Sequence, residues 1–254
     1  MISEIPMRFS LAIALSCTVF FSYAAGAAEL TVLSGGAIRP GLTEAAKTYE
    51  AKSGNKVIIT FNTTPQIRKR MAGGERFDVV IAPPDAIDTF ARAGQVTADR
   101  VTVGRVGSGV AVRPGAPVPS IATADDLKRE ILAAQSVVFN RASSGQYIEG
   151  LLKKWGIWDQ IEPKTTRYPR GEDVMEHLLK GKGHEIGLGP ITEIVAYRHE
   201  GLVFVGPLPE GAQRLTAYVA TPTTAGPNRA LAKAFTDYLV SPEGKSLFVA
   251  AGVN

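Results

Sequence analysis

Apolar positions along this chain follow two alternating rhythms. Short apolar runs, Leu30-Thr31-Val32-Leu33 and Val57-Ile58-Ile59-Thr60-Phe61, with a third over 78–82, have the length and β-branched content of strands. Between them the spacing becomes helical: Leu42, Ala45, Ala46 and Tyr49 stand at i, i+3, i+4 and i+7. That pattern predicts a helix over residues 40–53, with Pro40 in its first turn and Gly54-Asn55 as its stop. Further helices are expected over 65–72 and 84–93, the latter ended by Gly94. Strands separated by helices argue for parallel pairing and the α/β class.

The middle of the chain breaks the rhythm. Gly109-Val110-Ala111-Val112-Arg113 reads as an isolated strand before a proline-rich connector, 114–119. Thr123 is a good N-cap for a helix reaching residue 134. A strand over 137–139, helices over 144–155 and 172–180, and a strand over 185–188 form a second α/β unit. Leu215-Thr216-Ala217-Tyr218-Val219-Ala220 is a second lone strand, and helices over 229–240 and 242–250 close the chain. Two lone strands, each beside a change of unit, predict two crossovers between two lobes. The expected division is 29–107 with 221–254 for lobe I and 108–220 for lobe II.

Residues 1–28 are set apart from this fold. Arg8, the apolar run 9–21 and the small residues Ala24-Ala25-Gly26-Ala27-Ala28 have the order of a secretory signal peptide, which predicts export to the periplasm. The run falls short of the roughly 20 residues that span a bilayer, so no stable membrane insertion is expected. Cys17, the only cysteine, leaves with that segment, which removes disulfides, thiolate metal sites and cysteine nucleophiles from the mature chain. The roughly 225 remaining residues suffice for two lobes at about 100–150 residues each. A formal charge of +4 bears on encounter with acidic ligands rather than on fold. Arg68-Lys69-Arg70, the one dense basic run, has no interleaved aromatics, so nucleic acid is not an expected partner.

Candidate chemistry sits at three polar turns: Ser34-Gly35-Gly36, Asn62-Thr63-Thr64 and Asn140-Arg141-Ala142-Ser143-Ser144-Gly145. Each lies between a strand-like run and the start of a helix-like run. A helix start aims unpaired N–H groups and partial positive charge outward, which suits an anion. Taken singly, each turn is ordinary strand-to-helix punctuation. Taken together, they predict one site beyond the strand ends. Thr63, Thr64, Ser143 and Ser144 offer hydroxyls, and Gly35 and Gly36 let backbone N–H groups approach. Arg39, Arg141 and Arg170 offer guanidinium forks for carboxylates, with Arg141 the first choice. Asn140 and Tyr147 complete the expected ligand-binding set. His177, His184 and His199 carry no HExxH or carboxylate spacing, so no metal is expected, and no cofactor motif or GxSxG elbow is present.

The chain resembles the periplasmic molybdate-binding protein family, the solute-binding components of certain ABC importers. The resemblance rests on the opening strand-turn 30–36, Phe61-Asn62-Thr63-Thr64-Pro65-Gln66-Ile67, Phe77-Asp78-Val79-Val80-Ile81-Ala82, Ser144-Gly145 before Leu151-Leu152-Lys153-Lys154-Trp155-Gly156, and the closing 235–242. It implies a two-lobed type II periplasmic binding fold with the ligand in the cleft, a monomer, and an ABC permease as partner. The family's first ligand serine falls on Ala37, its second on Thr64, its third-turn donor near Ser144, and a backbone donor near Val174. Its late tyrosine falls on Pro190. Losing a serine and a tyrosine while acquiring arginines favours an organic polycarboxylate over molybdate. Aconitate isomerase, a periplasmic enzyme similar to this same family, supplies the alternative: allylic proton transfer between trans- and cis-aconitate. Tyr147, Tyr168, Glu172 and His184 are the candidate bases, and spacing does not choose among them.

Overall fold

The computed structural model describes residues 27–254. The predicted signal segment therefore lies almost wholly outside the described residues. Among these, no helix is long and apolar enough to cross a membrane.

Two five-stranded sheets organise two lobes. The first half of the chain supplies β1 (Glu29–Gly35), α1 (Arg39–Ser53), β2 (Lys56–Asn62), α2 (Thr64–Ala72), β3 (Val79–Ala82), α3 (Pro84–Arg92), β4 (Val101–Val106), β5 (Ser108–Val112) and α4 (Ala124–Ala133). Then come β6 (Ser136–Asn140), α5 (Ser143–Lys154), α6 (Trp158–Ile161), β7 (Thr165–Tyr168), α7 (Gly171–Lys180), β8 (Glu185–Pro190), α8 (Ile191–Ala196) and β9 (Val203–Pro207). The chain closes with β10 (Thr216–Pro222), α9 (Arg229–Leu239) and α10 (Pro242–Ala250).

The sheets have orders β2-β1-β3-β10-β4 and β7-β6-β8-β5-β9. In each, three parallel strands are followed by one that runs antiparallel to its neighbours, β10 in the first and β5 in the second. The two lone strands of the sequence are thus the crossing strands, each inserted in the sheet of the lobe it enters. Because β10 pairs with β3 and β4, the expected boundary at residue 220 falls inside a strand of the first sheet. We place it in the loop before Thr216. At the crossing, Gln213 ties the two passages together, accepting from the Ser108 N–H at 2.9 Å and donating to the Ser108 carbonyl at 2.8 Å.

Cores follow the predicted faces. Leu42, Ala45 and Tyr49 of α1 pack with Leu30 and Val32 of β1 and with Phe235, Leu239 and Phe248 of the closing helices. The second lobe buries Val137, Phe139, Ile148, Leu152 and Ile186. Thr123 caps α4 as expected, accepting from the Asp126 N–H at 3.1 Å. Three strands without a sequence expectation, β4, β7 and β9, lie at sheet edges. Residues of β7 and most of β9 are only half-buried, which blurs the apolar signal.

Asp78 is a buried carboxylate that joins distant segments. Its Oδ2 accepts from the Thr31 N–H (2.8 Å) and hydroxyl (2.9 Å), and its Oδ1 from the Asn228 N–H (3.0 Å). An Asp78→Ala change strands these buried donors and should lower stability by about 2–3 kcal/mol. An unchanged urea midpoint would show that water replaces the carboxylate.

Candidate functional site

Helix starts from both lobes face one cleft. Strand β1 ends at Gly35 and turns through the 3-10 segment Gly36–Ile38 into α1. Strand β2 leads into α2 at Thr64, β6 into α5 at Ser143, and a short loop after β7 into α7 at Gly171. All lie at the C-terminal ends of parallel strands, where α/β sheets place ligands. The first N–H groups of these helices have no partners within the helix, so the cleft is rich in donors and positive end-dipole. The cavity is about 290 Å³, close to the lower bound of roughly 300–1,000 Å³ for small-molecule sites.

The cleft brings together most of the residues singled out from the sequence. Gly35, Gly36, Ala37 and Arg39 line it from the first turn, and Thr63 and Thr64 from the second. Asn140, Ser143 and Ser144 line it from the third, with Arg170 beside them. Their roles divide on inspection. Thr63 is occupied in capping α2, its N–H and hydroxyl both donating to Gln66 Oε1. Asn140 shapes the third turn, its Oδ1 accepting from the N–H groups of Ala142 (2.9 Å) and Gly145 (3.1 Å). Gly145 has to be glycine, because a Cβ there would lie 1.7 Å from the Asn140 carbonyl oxygen.

Arg141 and Tyr147 do not line the cleft. The side chain of Arg141 is exposed; its backbone is engaged, the N–H donating to the Tyr168 carbonyl at 2.7 Å and the carbonyl accepting from Gln146. The first turn of α5 carries Ser143 and Ser144 inward, while the loop before it carries Arg141 outward. Tyr147 points to the crossing segment instead: its hydroxyl donates to the Ala212 carbonyl at 2.7 Å, under the guanidinium of Arg214. Of the other candidate bases, Tyr168 bonds to His177 Nδ1 at 2.8 Å beside a separate hollow, and His184 is not among the lining residues. Val174 is buried in the second lobe, whereas Ala37 and Pro190 do line the cleft.

Charges in the cleft are mixed. Arg39 lies over the Phe61 ring, 4.3 Å from its centroid, and reaches across the lobes to Glu172 Oε2 at 3.5 Å. Arg170 holds the other oxygen of Glu172 and pairs with Asp173. A second bridge between lobes is the Thr192 hydroxyl, which donates to the Ala37 carbonyl.

The residue that sequence reasoning missed is Glu193, in α8. Its carboxyl lines the cleft between the two lobes' glycines. Its Oε1 would lie 3.6 Å from a Cβ on Gly36, and its Oε2 1.5 Å from a Cβ on Gly171. Oε2 is shut off from solvent and has no hydrogen-bond partner among the described residues. Loss of solvation, with repulsion from Glu172 and Asp173 opposed by Arg39, pushes the Glu193 carboxyl up to about 7. Tyr218, whose ring closes over Gly35, also lines the cleft, and burial drives its hydroxyl well above the usual phenol range.

Comparison with known proteins agrees with this architecture. The profile of a bacterial extracellular solute-binding protein family matches residues 30–254. Aconitate isomerase of a Pseudomonas species is 32% identical over 230 residues, covering 88% of this chain and 87% of that one. The molybdate-binding protein of Escherichia coli is 25% identical over 243 residues, covering 92% of each chain. The solved periplasmic molybdate-binding protein of Azotobacter vinelandii superposes with a TM-score of 0.73 at 14% identity, covering 89% of this chain and 98% of that one.

The electrostatics of Glu193 has a measurable consequence for stability. The folded protein keeps its proton up to about pH 7, while the unfolded chain releases it near 4.5. Between these values the native state binds more protons, so this group's contribution to stability falls as pH rises, by on the order of 3 kcal/mol in all. Glu193→Gln removes the effect. The variant should be about 2–3 kcal/mol more stable than the parent at pH 8 and little different at pH 4, measured by urea unfolding. Equal pH slopes in the two proteins would contradict this account of the carboxyl.

Proposed function

The chain belongs to the bacterial extracellular solute-binding protein family, and from that premise we propose that its cleft binds an unsaturated organic tricarboxylate and shifts a proton within it, as an aconitate isomerase does. The observation that carries this reading is the presence of Glu172 and Glu193 inside a cleft otherwise furnished with helix starts and arginines. Glu172 is offset by its two guanidinium partners, but Glu193, once ionised, repels a bound polyanion, which a receptor that only holds one would avoid. Two like charges about 4 Å apart cost roughly 4 kcal/mol at an effective dielectric of about 20. Proton transfer, by contrast, requires a carboxyl or an equivalent base close to the acidic carbon.

The rest of the lining suits the substrate. Arg39 and Arg170 approach from opposite lobes; both are paired with protein carboxylates, and exchanging Glu172 for substrate would turn their planar forks to separate carboxylates. The N–H groups at the starts of α2, α5 and α7, with the hydroxyls of Thr64, Ser143 and Ser144, can take the remaining oxygens. Ala37 and Pro190 supply no hydroxyl where the molybdate-binding family has serine and tyrosine, which disfavours a tetrahedral oxyanion. The reaction itself is a shift of the double bond by one carbon. A methylene proton leaves, the electron pair delocalises over the allyl carbons and their carboxylates, and a proton returns at the far end. Donors that strengthen as charge develops lower this barrier.

The family and its hinge-like crossing at Ser108 and Gln213 also favour a second reading, capture of the same polycarboxylate for an ABC permease. The two readings share the ligand and part on turnover. Incubation with trans-aconitate should yield the cis isomer by chromatography. Heat of binding without product would support the receptor. Calorimetry should show little binding of molybdate, and tight molybdate binding would refute the reading of Ala37 and Pro190. Arg39→Ala and Arg170→Ala should each weaken tricarboxylate binding by about 1.5–3 kcal/mol, the scale of a charge-assisted bond. Arg141→Ala should change it by less than about 0.5 kcal/mol, as a surface substitution does. The reverse order would place the ligand outside this cleft.

A further inference from the structure

We propose that Glu193 is the catalytic acid–base residue of this cleft, the group that takes the proton from one allylic carbon of the substrate and delivers a proton to the other. The inference rests on the isomerase reading above and adds the residue that performs it.

Position is the first argument. Glu193 stands in the cleft at the junction of the lobes, and its Oε2 is buried and without a partner among the described residues. A buried carboxyl oxygen left unbonded is costly and calls for a reason. Glycine at 171 leaves room for it: a Cβ there would overlap Oε2 in this position and force the carboxyl to shift. On the opposite side Oε1 faces Gly36 of the first lobe, which also lines the cleft. The fold therefore makes room for a carboxyl and leaves it unsatisfied.

The second argument is elimination among the cleft's other acids and bases. Both oxygens of Glu172 are engaged by guanidinium groups, one by Arg39 and one by Arg170. Asp173 is held by Arg170 and lies off the cleft lining. Tyr147 and Tyr168 are bonded elsewhere. Tyr218 and Tyr197 line the cleft, and burial raises both phenols, which makes each a donor rather than a base.

The groups that face Glu193 also tune it. Arg39 of α1 favours its anion, while Glu172 and Asp173 of α7 disfavour it. Tyr218 of β10 and Tyr197, which follows α8, stand beside it in the lining. Burial is the largest influence, and the result is a carboxyl that loses its proton at about 7, near the value at which one group can serve as both base and acid. In the reaction, the Glu193 carboxylate accepts a proton from the substrate methylene as that C–H bond breaks. The electron pair spreads into the allylic carboxylate system. The Glu193 acid then protonates the former vinylic carbon, the double bond has moved by one position, and Glu193 is again a carboxylate. No oxidant, reductant or co-reactant is needed.

The test compares the full mature protein with Glu193→Gln and Glu193→Asp, using trans-aconitate as substrate. Glu193→Gln should lower turnover by about 10²–10⁴-fold, the usual contribution of a general acid–base. Its calorimetric affinity for trans-aconitate should stay within about threefold of the parent or tighten, since only a repulsive charge is lost. Glu193→Asp, which keeps the carboxyl but retracts it, should recover part of the turnover. In the parent, kcat/KM should rise with pH to a plateau through a midpoint near 7, the value at which Glu193 ionises. Wild-type turnover in Glu193→Gln, with the parent active, overturns this assignment and leaves the isomerase reading intact. A parent that binds trans-aconitate but never converts it overturns both.

Discussion

Helix starts that cannot satisfy their own N–H groups are the constraint on which this molecule depends. Strands β1, β2 and β6 all end where a helix begins, α7 begins beside them, and the two sheets set these ends face to face. Donors directed into a shared cleft need acceptors, and in the absence of protein acceptors a small anion is the natural one. The crossing strands make this possible. Because β5 and β10 run antiparallel within their sheets, each lobe closes on itself while two short passages, tied by Gln213, join them. The Arg39–Glu172 pair and the Thr192–Ala37 bond then connect the lobes directly at the cleft.

Against that positive background, Glu193 is the informative exception. Natural cores rarely leave a buried carboxyl oxygen without a partner, and such departures cluster where chemistry occurs. Glycine at 171 leaves room for the carboxyl, and neighbouring Glu172 and Asp173 add repulsion that a simple receptor would avoid. The same group that weakens the fold above neutral pH is the one able to move a proton there. Under the isomerase proposal, stability lost at the site and activity at the site share a single physical origin.

The α/β class, the two lobes and the order of the first six elements were legible because strand and helix periods alternate cleanly from Leu30 to Arg92. Edge strands β7 and β9 were not, since half-buried positions such as Thr165 and Arg167 carry no apolar contrast. The polar turns were legible as a class, and Gly35, Thr64 and Ser144 do meet in the cleft. Direction was not legible. Arg141 and Ser143 are near neighbours, yet the start of α5 sends one outward and the other inward. Glu193 gave no signal at all. No element was expected between the strand over 185–188 and Leu215, and the room for its carboxyl depends on Gly171, which the sequence does not place beside it.

The central claim is that this cleft holds an unsaturated polycarboxylate against a carboxyl able to exchange a proton with its carbon. Proton NMR of trans-aconitate incubated with the protein in deuterium oxide tests it most directly. The account predicts that the methylene resonance fades as deuterium enters and that signals of the cis isomer grow. A spectrum that stays unchanged while calorimetry records binding would contradict it.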